Sequence, residues 1–179
     1  MLGRRALLRT GLGAAAGLAA GPAALAFAAP ARRLGFNNLH TGEALDVAYF
    51  ENGAYVPDAL AAVNHVLRDY RTGDVHVIEP KLLDLLTALS ASLESRASIG
   101  VISGYRSPQT NAMLHERSSQ VASGSLHMLG QAIDIRIEGV ETTAIRDAAL
   151  SLGIGGVGYY PTSNFVHVDI GRVRRWQGS

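Results

Sequence analysis

The chain has 179 residues, 47% of them hydrophobic and 17% charged, with a formal net charge of +1 and no cysteine. The length predicts one domain, and the hydrophobic fraction argues against intrinsic disorder. Without cysteine there is no disulfide framework, Cys-ligated zinc, iron–sulfur cluster or thiol nucleophile.

Residues 1–29 read as an export signal. Arg4, Arg5 and Arg9 form a basic start, and no acidic residue lies between Ala6 and Ala29. Ala26 and Ala28 supply Ala-x-Ala cleavage positions. The Arg4-Arg5 pair is similar to a twin-arginine signal, with Gly3 where Ser or Thr is usual. The alternative is a membrane anchor. Interruption by Gly11, Gly13, Gly17, Gly21 and Pro22 argues against it, so no stable membrane insertion is expected after cleavage. The expected location is periplasmic. Taking three arginines from the 16 basic residues leaves 13 against 15 acidic ones, a net of −2. Such a domain shows no electrostatic footprint for nucleic acid.

Residues 30–179 are expected to form the domain. Leu34–His40 and Ala44–Phe50 read as a hairpin across Thr41-Gly42-Glu43. Pro57 opens a helix in which Leu60, Val63, Leu67 and Tyr70 recur at helical spacing and Gly73 marks the stop. Pro80 opens a second, with Leu82, Leu85, Leu86, Leu89 and Leu93 on one face, read as plain core. Ser98–Ser103 predicts a buried strand, Pro108–Arg117 a short helix and Ser118–Gly124 a polar loop. Ala132–Ile137 and Asn164–Ile170 alternate as half-buried strands, with a helix over Glu141–Leu152 between them. Gly153–Gly158 is too glycine-rich for a regular element. Helices and antiparallel-looking strands in mixed order predict an α+β domain: a small, mostly antiparallel sheet with helices packed on one side.

Both alternating strands carry polar side chains opposite their apolar face. Asp134 and Arg136 share one such face; His167 and Asp169 share the other. With His127 upstream, two imidazoles and a carboxylate make a ligand set suited to catalytic Zn²⁺. By spacing alone the set is weak, because a His followed by an Asp is common.

The pattern Ser-x-His-x-x-Gly-x-Ala-x-Asp, from Ser125 to Asp134, resembles the signature of zinc peptidases acting on bacterial cell-wall peptides. These are the D-Ala-D-Ala carboxypeptidases, the VanX-type dipeptidases and the L-Ala-D-Glu endopeptidases. Ser103-Gly104-Tyr105-Arg106-Ser107 resembles their Gly-Tyr-Arg segment, and Phe165–Asp169 their third-ligand strand. The whole is most similar to the YcbK-like (MepK-type) murein endopeptidases, from Leu39–Glu43 through Leu67–Arg71 to the terminal Gly-Arg-Val-Arg-Arg-Trp.

The resemblance implies a Hedgehog/DD-peptidase-like fold, zinc held by His127, Asp134 and His167, and peptidoglycan stem peptides as substrate. It also implies Arg106 over the scissile carbonyl, where a guanidinium stabilises the developing oxyanion. Relatives often place Glu or Asp, as general base, three residues before the third ligand; here that position is Asn164. Asp169 is then either the base or the group that holds a ligand imidazole in one tautomer. Ser125, Tyr105 and Tyr159 are expected to contact substrate, and Tyr159 and Tyr160, after the glycine-rich run, are candidates for the cleft wall. His40, His65 and His76 read as structural, and His115 and Glu116 as exposed. Two other functions stay open: a zinc-bearing but catalytically silent cell-wall-binding module, kept alive by Asn164, and a D-Ala-D-Ala carboxypeptidase. A serine hydrolase is excluded, since Ser103, Ser107 and Ser125 sit in no Gly-x-Ser-x-Gly elbow.

Overall fold

The computed structural model describes residues 30–118 and 121–179. The expected export signal, residues 1–29, lies outside them. No helix of the described residues is long and apolar enough to cross a membrane.

Among the described residues, eight strands form a single sheet: β1 (Arg32–Asn38), β2 (Ala44–Glu51), β3 (Ala54–Tyr55), β4 (Ile99–Ser103), β5 (Ala132–Ile137), β6 (Gly156–Tyr160), β7 (Phe165–Asp169) and β8 (Arg174–Gln177). Their order is β3-β2-β1-β4-β5-β7-β6-β8. Most neighbours are antiparallel; β1 with β4 and β6 with β8 are parallel. The helices are α1 (Pro57–Val66), α2 (Pro80–Ser92), α3 (Pro108–Arg117) and α4 (Thr142–Leu152).

One face of the sheet is the core. Ile133, Ile135 and Ile137 of β5 and Val166 and Val168 of β7 pack with Leu82, Leu85, Leu86 and Leu89 of α2 and Ile145 and Ala149 of α4. Of the leucines expected to be plain core, Leu82, Leu85, Leu86 and Leu89 are core, and Leu93 is half-buried against it. Side chains alternate across a strand, so this packing turns Asp134, His167 and Asp169 onto the opposite face. There α3 stands apart from the other helices: Asn111 reaches Arg106 and the carbonyls of Ala122 and Ser123.

Two expectations about elements are corrected. Helix α1 ends at Val66, not near Gly73, although the apolar spacing runs on to Tyr70. Asn38 Nδ2 takes the Val66 carbonyl and Tyr105 N takes that of Leu67. Asp69, 1% exposed, then accepts hydrogen bonds from Arg71 N, Ser107 N and Ser107 Oγ. Those tertiary bonds outcompete another turn of helix. Second, the glycine-rich run contains strand β6. Its Gly156 and Gly158 lie under β8: a Cβ on Gly158 would sit 2.5 Å from the Trp176 ring. These glycines admit a neighbour instead of marking a loop.

Candidate metal centre

His127 lies on a 3₁₀ turn, Leu126–Leu129, capped by the Ser125 hydroxyl, which accepts from His127 N at 3.3 Å. The turn closes on Gly130 at φ 64, a left-handed conformation suited to glycine, and the chain passes directly into β5. The Gly104-Tyr105-Arg106 segment grips the turn: Arg106 N donates to the His127 carbonyl at 3.2 Å, and His127 Nδ1 lies 2.7 Å from the Gly104 carbonyl. Gly104 in turn presses on α1's exit, where a Cβ would lie 2.5 Å from Leu67 O.

Asp134 and His167 are direct partners in the β5–β7 register. Asp134 Oδ1 is 2.9 Å from His167 Nδ1 and 3.3 Å from His127 Nε2, and the two ring nitrogens are 3.2 Å apart. All three residues are buried, and one ligand atom of each lies within 4.8 Å of the others.

The chemistry of the donor set decides whether a metal suits this cluster. A carbonyl oxygen can only accept, so Gly104 fixes the His127 proton on Nδ1 and leaves Nε2 a lone pair. On His167 the outer nitrogen, Nε2, is 3.0 Å from Asp169 Oδ2, which leaves Nδ1 facing inward. Two imidazole lone pairs and a carboxylate oxygen thus converge with no donor between them. A divalent cation resolves that repulsion, and the set fits one.

Burial pulls the His127 pKa below its ordinary value, with Asp134 opposing. Burial lowers that of His167 too, but the Asp134 and Asp169 carboxylates outweigh it and hold it above the ordinary value. Asp134 itself stays well below the usual carboxylate range despite its burial, because both histidines face it.

Asp169 is fully buried, behind His167 rather than beside the convergent atoms. Its oxygens accept from Gly156 N, Gly171 N and both terminal nitrogens of Arg174. Asn164 is an exposed residue of the β6–β7 turn at φ 53, and its side chain meets Thr142 at the start of α4. That contact lies on the core side, so Asn164 does not face the metal ligands.

The cleft over the cluster has a volume of about 240 Å³ and is walled by Arg106, Ser125, Tyr160, Phe165, Arg174 and Trp176. The Arg106 side chain is 11% exposed, and burial lowers its pKa against the pull of Asp134. Its nearest side-chain partners are distant: Ser103 Oγ at 3.4 Å, Asn111 Oδ1 at 3.5 Å and Asp134 Oδ2 at 3.5 Å. Its Nε has no partner among the described residues. Tyr105 and Tyr159, expected at the cleft, lie elsewhere. Tyr105 stacks on His76, and Tyr159 is on the core side of β6 beneath Arg146.

A family profile described as peptidoglycan L,D-endopeptidase MepK matches residues 26–176. The chain belongs to the MepK family. It is 45% identical over 174 residues to the peptidoglycan L,D-endopeptidase MepK of Escherichia coli K12, covering 97% of this chain and 96% of the relative. The same figures hold for the MepK of Shigella flexneri. A probable MepK of Haemophilus influenzae is 45% identical over 148 residues, 82% of this chain and 80% of the relative.

In this MepK-family chain, two residues at the site were given no role from sequence: Arg174 and Trp176. Arg174 and Trp176 fall in a C-terminal stretch with no strand pattern, and only the pairing of β8 with β6 brings them over the cleft. Of the two tyrosines after the glycine-rich run, strand parity turns Tyr160 into the cleft and Tyr159 to the core side.

Proposed function

We propose that this chain is an exported, zinc-dependent murein endopeptidase that cuts peptide crosslinks between stem peptides, bonds between two diaminopimelate residues included. The observation that carries the reading is the convergence of His127, Asp134 and His167, each imidazole with its outer nitrogen already committed to an acceptor. A zinc ion held there supplies Lewis acidity, polarising the scissile carbonyl and acidifying water.

The chain's own residues bind and orient. Arg106, loosely held and buried at the cleft, takes the carbonyl oxygen as it becomes negative; in a site shielded from water such a donor is worth most. Asp169 is assigned to orienting His167, because its oxygens are occupied by Arg174, two backbone amides and the imidazole itself. Arg174 anchors that carboxylate. Ser125 lines the cleft and caps the turn that carries His127. Asn164, its side chain turned toward Thr142 of α4, supplies no general base to the cleft.

The test is incubation of the zinc-loaded protein with cell-wall sacculi, with and without chelator, and mass spectrometry of the released muropeptides. Loss of crosslinked dimers, abolished by chelator, is expected. Release of terminal D-Ala alone would make the protein a carboxypeptidase, and no chelator-sensitive product would make it a binding module.

A further inference from the structure

Tyr160 and Trp176 meet at the edge of the cleft in a way that fixes the direction of one hydrogen bond. Trp176 Nε1 is 2.9 Å from the Tyr160 hydroxyl oxygen. An indole N–H can only donate, so the phenol oxygen accepts and its own hydrogen points elsewhere. Among the described residues no acceptor takes that hydrogen.

Four further contacts hold the pair in place. Tyr160 stacks on Phe165, its partner in the β6–β7 register, with ring centroids 4.3 Å apart and planes 15° from parallel. The Trp176 ring sits over Gly158, where a Cβ would collide with it, and lies 5.1 Å from the His167 ring. Arg174 packs against the Trp176 ring with its guanidinium carbon 4.9 Å from the centroid. Tyr160 and Trp176 therefore sit next to the metal ligands. They share the cleft wall with Arg106, whose Nε has no partner among the described residues.

We infer that Tyr160, its oxygen held by the Trp176 indole, donates a second hydrogen bond beside Arg106 to the substrate carbonyl oxygen as negative charge develops on it. Tyr160 is then a catalytic residue, and Trp176 is a positioning residue acting through it. The inference rests on the proposed peptidase activity. A phenol pinned by a donor to its oxygen needs no reorientation when substrate arrives, the preorganisation such stabilisation depends on.

Four proteins test it: the zinc-loaded wild type, Tyr160→Phe, Trp176→Phe and the double variant. Each is assayed on crosslinked muropeptide dimers and for affinity to a phosphinate analogue of the crosslink and to the product stem peptide. Tyr160→Phe is expected to keep its zinc and fold, to lose about 10²–10³-fold in kcat with KM little changed, and to lose analogue affinity but not product affinity. Trp176→Phe keeps an aromatic ring but no N–H, and a smaller loss is expected. The double variant should be no worse than Tyr160→Phe, because a positioning residue has nothing left to position.

Wild-type kcat in Tyr160→Phe overturns the inference, as does an equal loss of analogue and product affinity, or additive losses in the double variant. If the wild type cleaves no dimer, the proposed activity fails first and the inference falls with it; if only the variants behave unexpectedly, the activity stands.

Discussion

His167 is held between two carboxylates on opposite sides of one ring: Asp134 Oδ1 is 2.9 Å from Nδ1, and Asp169 Oδ2 is 3.0 Å from Nε2. Asp134 faces the cleft with the other ligands, whereas Asp169 is sealed behind them. That division separates a ligand from the group that aims it, and substitutions on the two sides should have different effects.

Removing a ligand should remove the metal. His127→Ala is expected to lower bound zinc sharply, read by metal analysis of the purified protein. Full occupancy in that variant would refute the ligand set.

Loosening the support behind His167 should weaken the metal without abolishing it. Asp169→Asn is expected to lose about 10–100-fold in zinc affinity, measured by chelator competition. Arg174→Gln should weaken it less, because Gly156 N and Gly171 N still hold the carboxylate. Saturating zinc should restore most of the turnover of both. Turnover that stays collapsed in fully metallated Asp169→Asn would make Asp169 the general base after all.

Arg106→Ala tests stabilisation of the transition state. The variant should keep its zinc and lose about 10²–10³ in turnover on muropeptides. Unchanged turnover with full metal content would remove Arg106 from the mechanism.

Zinc binding should depend on pH in a definite sense, since imidazoles coordinate only when neutral. Before zinc binds, the carboxylates hold the pKa of His167 above the ordinary value of about 6.5, whereas burial keeps that of His127 below it. As pH falls, His167 should protonate first. Apparent zinc affinity should therefore begin to drop above pH ~6.5, with close to one proton released per zinc bound there. Calorimetry in buffers of different ionisation enthalpy measures that proton; release of two at the same pH would contradict the assignment.

Asp69 should govern acid stability. Burial raises its pKa, but hydrogen bonds from Thr110, Ser107 and Arg71 outweigh this and depress it below its unfolded value. Its stabilisation is therefore fully present above pH ~4 and is lost as pH falls through the folded pKa. Asp69→Asn should cost about 1–3 kcal/mol at pH 7. The gap from wild type should close as the solution is acidified, as read by urea melts at several pH values.

Much of this protein is written in local pattern. The 3.6-residue spacing of the α2 leucines and the alternation of β5 and β7 specify those elements, because an amphipathic face has one stable orientation against a core. Alternation also places Asp134 and His167 opposite the apolar face before any fold is known. What local pattern leaves open is which strands become neighbours. Direct pairing of β5 with β7 sets Asp134 against His167, and the loop after β4 fixes the His127 tautomer through a backbone carbonyl that no side-chain pattern encodes. Parallel pairing of β8 with β6 brings Arg174 to Asp169 and Trp176 to Tyr160. It needs glycines beneath it, and in a linear reading those glycines look like a loop. α1 stops early because a buried carboxylate, Asp69, satisfies backbone groups distant in sequence. Periodicity reports which face of an element is buried; the partners of its polar groups are chosen only when distant segments pack together.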